Sequence, residues 1–497
     1  MLITAVGIYL ILTIGIGIYA STRIHGSKDF MVAGRSLPLY MNLATVFATW
    51  FGAETVLSVS ATFARDGLVG VPADPFGASA ALILVALLFA RKFYRMNLLT
   101  IGDYYRHRYG KSIEVLTSVA ITISYLGWFS ANLTAIGLVL WVMSGGAISL
   151  STGIIIGAVI VVIYTFLGGM WAIALTDLVQ MAVIIVGLSV IAWLVSVPAG
   201  GPGEVIGAAY EAGKLGLFPT GAGGLAWLAF GAAFLTMALG SIPQQDVFQR
   251  VTSAKNEHIA VRGTLLGAVL YLIFAFVPMY IAYSALVIDP EFQKLFQTDD
   301  DREIQRILPD LILSKTPVWA QIAFFGALTS AILSTSAGAL LAPTSLFTEN
   351  VLRPFMPRIS DQRFLVMLRT VLVIFSIGGL LFALNSTSTM YEMVQNAYKV
   401  TLAGAIVPLA AGMYWKRATV QGAMLSIILG LGAWLIGEAA VPEDAAEAFP
   451  PQLFGLAAAI VGMFIGSLAP QLYTERALAP QDHTPDKGHP ETATARQ

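Results

Sequence analysis

The run Ala48-Thr49-Trp50-Phe51-Gly52-Ala53-Glu54 sets a glycine and a carboxylate in the middle of an apolar stretch, residues 37 to 63, long enough to cross a bilayer. Further on, Leu239-Gly240-Ser241-Ile242-Pro243-Gln244-Gln245-Asp246 puts a glycine and a proline close together inside a second such stretch, 223 to 250. Both residues interrupt helices, and irregular backbone at membrane depth is tolerated only where it is buried in protein or lines a cavity. The two runs are read as broken membrane helices that build one binding site.

The rest of the chain fits that reading. Of 497 residues, 57% are hydrophobic and 11% charged, whereas soluble domains carry about 25% charged residues. There are too few charges to coat a water-soluble globule. A net charge of −1 gives no footprint for nucleic acid, and no protein partner is evident. The absence of cysteine excludes disulfides and thiolate metal sites, and the five histidines show no zinc-ligand spacing.

A spanning helix needs about 20 apolar residues. Thirteen stretches qualify: 2 to 22, 37 to 63, 75 to 95, 112 to 143, 151 to 168, 171 to 197, 223 to 250, 260 to 287, 316 to 348, 363 to 384, 388 to 415, 418 to 437 and 453 to 472. No Lys or Arg precedes the first, which is read as a retained helix rather than a signal peptide. With the N-terminus outside, loops assigned to the cytoplasm, together with the tail, hold 20 of the 28 basic residues and the outer loops six, as the positive-inside rule asks. The expected location is the cell (inner) membrane, with the C-terminus cytoplasmic. Acidic segments around Asp299, Asp300 and Asp301 and around Glu443 and Asp444 fall outside. The loop between spans 8 and 9 is expected to carry a short surface helix.

The expected fold is an all-α polytopic membrane protein. Residues 1–472 form one transporter domain, and the Pro- and Thr-rich segment 473–497 reads as a disordered tail. The broken stretches are spans 2 and 7, each the first helix of a five-helix unit. Five is odd, so the second unit is inverted relative to the first, with repeats of about 37–197 and 223–437. Taken singly, Gly52 could merely ease helix packing and Pro243 merely kink a span. Their matched positions point instead to an inverted-repeat secondary transporter.

Four segments carry a family resemblance: Gly34-Arg35-Ser36-Leu37 before span 2; Tyr164-Thr165-Phe166-Leu167-Gly168-Gly169-Met170 with Thr176-Asp177-Leu178-Val179-Gln180; Ile242-Pro243-Gln244-Gln245 through Phe248-Gln249-Arg250; and Ala331-Ile332-Leu333-Ser334-Thr335. The chain resembles the sodium:solute symporters, and Ala48-Thr49-Trp50 with the Trp128 region resembles their high-affinity choline branch. It departs from that branch at Gln244, in place of a tryptophan, and at Ala78, in place of a tyrosine. The resemblance implies sodium as the co-transported ion, held by the carbonyls of Ala48, Phe51 and Ala331 and the hydroxyls of Ser334 and Thr335. Some members bind a further sodium through two more hydroxyls, but those positions here are Ala337 and Gly338. Asp177, a carboxylate inside a span, is assigned to ion release; a helix cap is the plainer alternative.

If spans 2 and 4 pack as in the family, Trp50 and Trp128 face one another across the solute site, where two indoles suit a cation or a flat apolar group. Ordinary packing explains two tryptophans as well. Gly52, Glu54, Gln244, Gln245 and Asp246 complete the candidate solute residues, and Tyr391, Glu392, Gln395 and Lys399 are candidates for an outer gate. The expected function is sodium-coupled import of a small cationic or zwitterionic solute. The alternatives are symport of another solute, such as proline or pantothenate, or a transporter-like sensor. An intramembrane enzyme would need a nucleophile with its base, or metal ligands, on facing helices, and neither is found.

Overall fold

The structure is a computed structural model that describes residues 2–22, 24, 26–221, 223–298, 301–356, 358–442 and 449–475. Every one of the thirteen apolar stretches carries helix, and the described residues hold no strand, only an isolated bridge between Leu37 and Ala254. Among the described residues, ten helices are long and apolar enough to cross a membrane, or up to twelve when each of two bent pairs counts as one span. The fifth stretch holds a shorter apolar helix, Leu150–Ile163. It joins the sixth in one helical run, Leu150–Ser196, interrupted at Gly169, where φ is +47° and an added Cβ would stand 2.6 Å from the Phe30 carbonyl. Only glycine fits that close approach.

Span 2 is two helices, Leu39–Trp50 and Glu54–Asp66, bent by 55°. Span 7 is Gly223–Gly240, a turn through Ser241 and Pro243, and then Gln245–Ser253. The chain entering span 2 meets the chain leaving span 7: the Leu37 N–H donates to Ser253 O at 3.0 Å and the Lys255 N–H to Leu37 O at 2.9 Å. One turn into span 2, Asn42 Nδ2 donates to the Arg250 carbonyl at 2.7 Å. Span 11 is the second bent pair, Met390–Gly404 and Ile406–Tyr414. At and just after its bend, three phenols of the helix Ile101–Tyr109 donate to its carbonyls: Tyr105 to Ala405, Tyr104 to Leu409 and Tyr109 to Pro408, at 2.9, 3.1 and 2.8 Å.

Span 9, Val318–Phe347, lies at the centre with almost every residue from Ala327 onward buried. The loop between spans 8 and 9 carries the expected short surface helix, Pro290–Gln297, none of whose residues is buried, and a second helix, Ile307–Lys315, whose Ile307, Leu308, Leu311 and Ile312 are fully buried. Arg250, counted from sequence as a cytoplasmic loop charge, is 2% exposed; the basic asymmetry survives its removal. Arg23, Asp299, Asp300, Glu443, Asp444 and the tail beyond Glu475 lie outside the described residues. Glu475 itself accepts the backbone N–H groups of Lys111 and Ser112 at 2.9 and 3.1 Å.

Candidate functional site: the break in span 2 against span 9

Where span 2 breaks, Phe51 leaves helical geometry (φ −82°, ψ 80°) and the Gly52 N–H turns to Trp50 O at 3.0 Å. In a continuous helix that N–H would bond to Ala48 O. The freed Ala48 carbonyl instead lies 2.9 Å from Ser334 Oγ on span 9, and the same hydroxyl lies 2.6 Å from Asp177 Oδ1 on span 6. A hydroxyl has one proton, so it satisfies one of these two acceptors at a time. Asp177 is fully buried, and its Oδ2 has no hydrogen-bond partner.

Beside it, Thr335 Oγ1 lies 3.0 Å from Ala331 O and 3.1 Å from Ile332 O, and it is also hydrogen-bonded to Asn132 Oδ1 of span 4. Again one proton faces several acceptors. Gly52 sits so close to span 9 that an added Cβ would stand 2.6 Å from Thr335 Cγ2. Spans 2, 4, 6 and 9 thus bring the oxygens of Ala48, Ala331, Ser334, Thr335, Asp177 and Asn132 to one layer with too few protons to join them. Clustered carbonyl, hydroxyl and carboxylate oxygens of this kind suit a hard cation. Phe51 lies buried at the same break, its ring stacked on Phe47 at 5.1 Å.

Across Gly52 and Thr335 lies a small closed cavity, with about 10 Å³ open to a water molecule, lined by Trp50, Gly52, Glu54, Trp128, Asn132 and Thr335 among others. Trp128 packs on Tyr125 (ring centroids 5.8 Å) and Trp50 meets the edge of Tyr271 (6.5 Å). Glu54 Oε1 is buried without a partner. Gln244 and Asp246 lie beyond Tyr125 and outside the cavity wall. Gln244 Nε2 donates to Ser124 and Thr401 at 3.1 and 3.3 Å, and Asp246 is held by the Tyr125 phenol. Gln245 points elsewhere: its Oε1 accepts the Ile101 N–H at 2.8 Å, at the start of the helix Ile101–Tyr109.

A separate, wider cavity of about 570 Å³ lies between spans 2, 7 and 11, lined by Arg65, Asp66, Phe230, Tyr391, Gln395 and Lys399 among others. Glu392 closes a reciprocal cap with Thr389 and Lys399 pairs with Glu438 at 3.1 Å. Tyr391 lines this cavity, and the charges of Glu54 and Asp74 act on its phenol.

Three buried polar residues beside this site were not among the candidates read from sequence. Asp74, 2% exposed, is held by Thr55 Oγ1 at 3.0 Å and by the Tyr271 phenol. It stands one residue before the apolar stretch 75 to 95, where hydropathy gives no sign of burial. Asn132 is a lone amide in span 4 with no motif around it. Arg250 donates from Nε to Thr49 Oγ1 at 2.9 Å, and its charge acts on both Asp177 and Asp246. Its signal was a charge placed one turn after Asp246 in a helix that also carries Gln245 and Gln249.

A family model for the sodium:solute symporter family matches residues 30–430. The chain belongs to that family. This symporter is 27% identical over 455 residues to high-affinity choline transporter 1 of Caenorhabditis elegans, covering 88% of this chain and 77% of the nematode protein. It is 26% identical over 442 residues to the human high affinity choline transporter 1, covering 86% and 75%. A solved Na+-coupled sialic acid symporter superposes with a TM-score of 0.80 at 20% identity, over 94% of this chain and 97% of that one. The fold is the five-plus-five inverted-repeat transporter fold. The family fixes the function class: a multi-pass membrane symporter that couples sodium to a small organic solute.

Proposed function

We propose that this symporter imports a small cationic or zwitterionic solute together with one sodium ion, by alternating access across the cell membrane. Its N-terminus is outside and its C-terminus cytoplasmic. The observation that carries the reading is the shared wall at Gly52 and Thr335. Ser334, the neighbour of Thr335, touches the Ala48 carbonyl and Asp177, while Gly52 and Thr335 themselves line the cavity of Trp50, Trp128 and Glu54. An ion that draws Ala48, Ser334 and Thr335 together fixes the break in span 2 and with it the indole and carboxylate that meet the solute. Linkage makes the effect reciprocal, so bound solute tightens sodium.

A single sodium is supported by what stands beyond Ser334. Ala337 has no hydroxyl, and an added Cβ at Gly338 would lie 2.7 Å from Arg250 Nη2. A fixed guanidinium occupies the space into which a further ligand at that position would project. Asp177, in direct contact with Ser334, is placed to draw the ion off the site toward the cytoplasm. Similarity to choline transporters favours an amine-bearing solute, as do the two indoles beside Glu54.

The test is uptake by purified protein in liposomes, with and without an inward sodium gradient, against choline, betaine, proline, other amino acids and pantothenate. Accumulation of an amine or amino acid that collapses with the gradient supports the reading. Transport of pantothenate alone, or uptake indifferent to sodium, contradicts it.

A further inference from the structure

Buried acceptors without a partner gather around the Tyr398 phenol. The charges of Glu54, Asp74 and Asp246 all act on this phenol, which is 4% exposed. Three oxygens of this neighbourhood are buried without a partner: Glu54 Oε1, Asp246 Oδ2 and Gln244 Oε1. Asp246 and Gln244 are 1% and 2% exposed. The amide nitrogen of Gln244 is already used by Ser124 and Thr401, so that amide offers only its acceptor.

Charge is unbalanced too. Arg250 acts on Asp246, whereas among the described residues the one charge acting on Glu54 is that of Asp74, itself a carboxylate. An ionised carboxylate buried without counter-charge costs several kcal/mol, and a cationic group seated beside Glu54 removes that cost. The ligand that completes this site also brings hydrogen-bond donors, because an acceptor oxygen left bare in a dry site forfeits its desolvation energy.

A quaternary ammonium supplies the charge but no N–H, and it relies on aromatic faces on several sides. The cavity offers two, Trp50 and Trp128. We propose that the positive group of the solute is an ammonium that carries hydrogens, a protonated primary or secondary amine, donating into Glu54 in the cavity of the two indoles. This rests on the symport reading above and narrows its substrate class.

Two methylation series test it: ethanolamine through N-methyl- and N,N-dimethylethanolamine to choline, and glycine through sarcosine and dimethylglycine to betaine. Each compound is titrated against the purified protein in sodium and in potassium buffer, with the shift of the unfolding midpoint as readout. The expected result is a sodium-dependent affinity that falls about tenfold or more from the hydrogen-bearing end of a series to its quaternary end. Glu54→Gln should flatten that slope. Equal or tighter binding of choline or betaine in sodium overturns the proposal and leaves the symporter reading standing. Silence from every compound while sodium alone stabilises the protein also overturns it. Silence with no effect of sodium either overturns the symport site itself.

Discussion

Ser334 Oγ lies 2.6 Å from Asp177 Oδ1, so the span 9 hydroxyl that meets the broken span 2 also meets the one carboxylate of span 6. Three spans converge on a single oxygen. Truncating both hydroxyls with Ser334→Ala and Thr335→Ala should raise the half-saturating sodium concentration of uptake about tenfold or more, the equivalent of roughly 1.4 kcal/mol. Sodium titration of initial uptake rates in proteoliposomes reads this, and an unchanged constant counts against the site.

Asp177→Asn keeps an oxygen against Ser334 but removes the charge to which we assign ion release. At saturating sodium, turnover is expected to slow severalfold while equilibrium solute binding stays near its wild-type value. Counterflow rates set beside binding isotherms separate the two. Wild-type turnover in this variant would leave Asp177 a structural partner of Ser334.

Gly52→Ala places a methyl group 2.6 Å from Thr335 Cγ2. Because Gly52 and Thr335 line the solute cavity as well, this one methyl should weaken sodium and solute binding together. The variant should still fold, since span 9 has to shift by only a fraction of an ångström. Isothermal titration with each ligand checks the joint loss; a variant that loses only one of the two affinities speaks against a shared wall.

At Trp50 and Trp128 the order of substitutions is informative. A buried cation-π contact is worth roughly 0.5–2 kcal/mol and depends on the ring's quadrupole. Leu should therefore cost more solute affinity than Phe at each position. Equal losses for Leu and Phe would make the two indoles packing residues.

Tyr105→Phe removes the donor to the Ala405 carbonyl at the bend of span 11. That carbonyl still accepts the Leu409 N–H at 3.2 Å, so the loss is that of one buried hydrogen bond, about 0.5–1.5 kcal/mol. The unfolding midpoint in detergent should fall, whereas Tyr94→Phe, which loses an exposed bond to Lys255 O, should fall by less.

The apolar helices and the two breaks were readable from sequence because hydropathy and Gly or Pro punctuation are local signals, although ten to twelve of the thirteen stretches, among the described residues, are long and apolar enough to span. The same locality explains what was not readable. Gln244 and Gln245 are adjacent, and their side chains leave the chain in different directions; only packing shows that one meets Ser124 and the other the Ile101 N–H. Asp74 and Arg250 stand at the ends of apolar stretches, where a charge is ordinarily assigned to water. Their burial depends on partners about 200 residues away, Tyr271 and Thr49. Asn132 shows its role only through Thr335, a contact between spans 4 and 9 that no periodicity announces.

Sodium binding by the purified protein requires no knowledge of the solute and bears on where the ion sits. Equilibrium binding of radiolabelled sodium should saturate at about one ion per chain in the wild type, and the Ser334→Ala, Thr335→Ala double variant should lose that saturable binding over the same concentration range. Undiminished saturable binding in the double variant would place the ion away from the meeting of span 2 with span 9 and contradict the site.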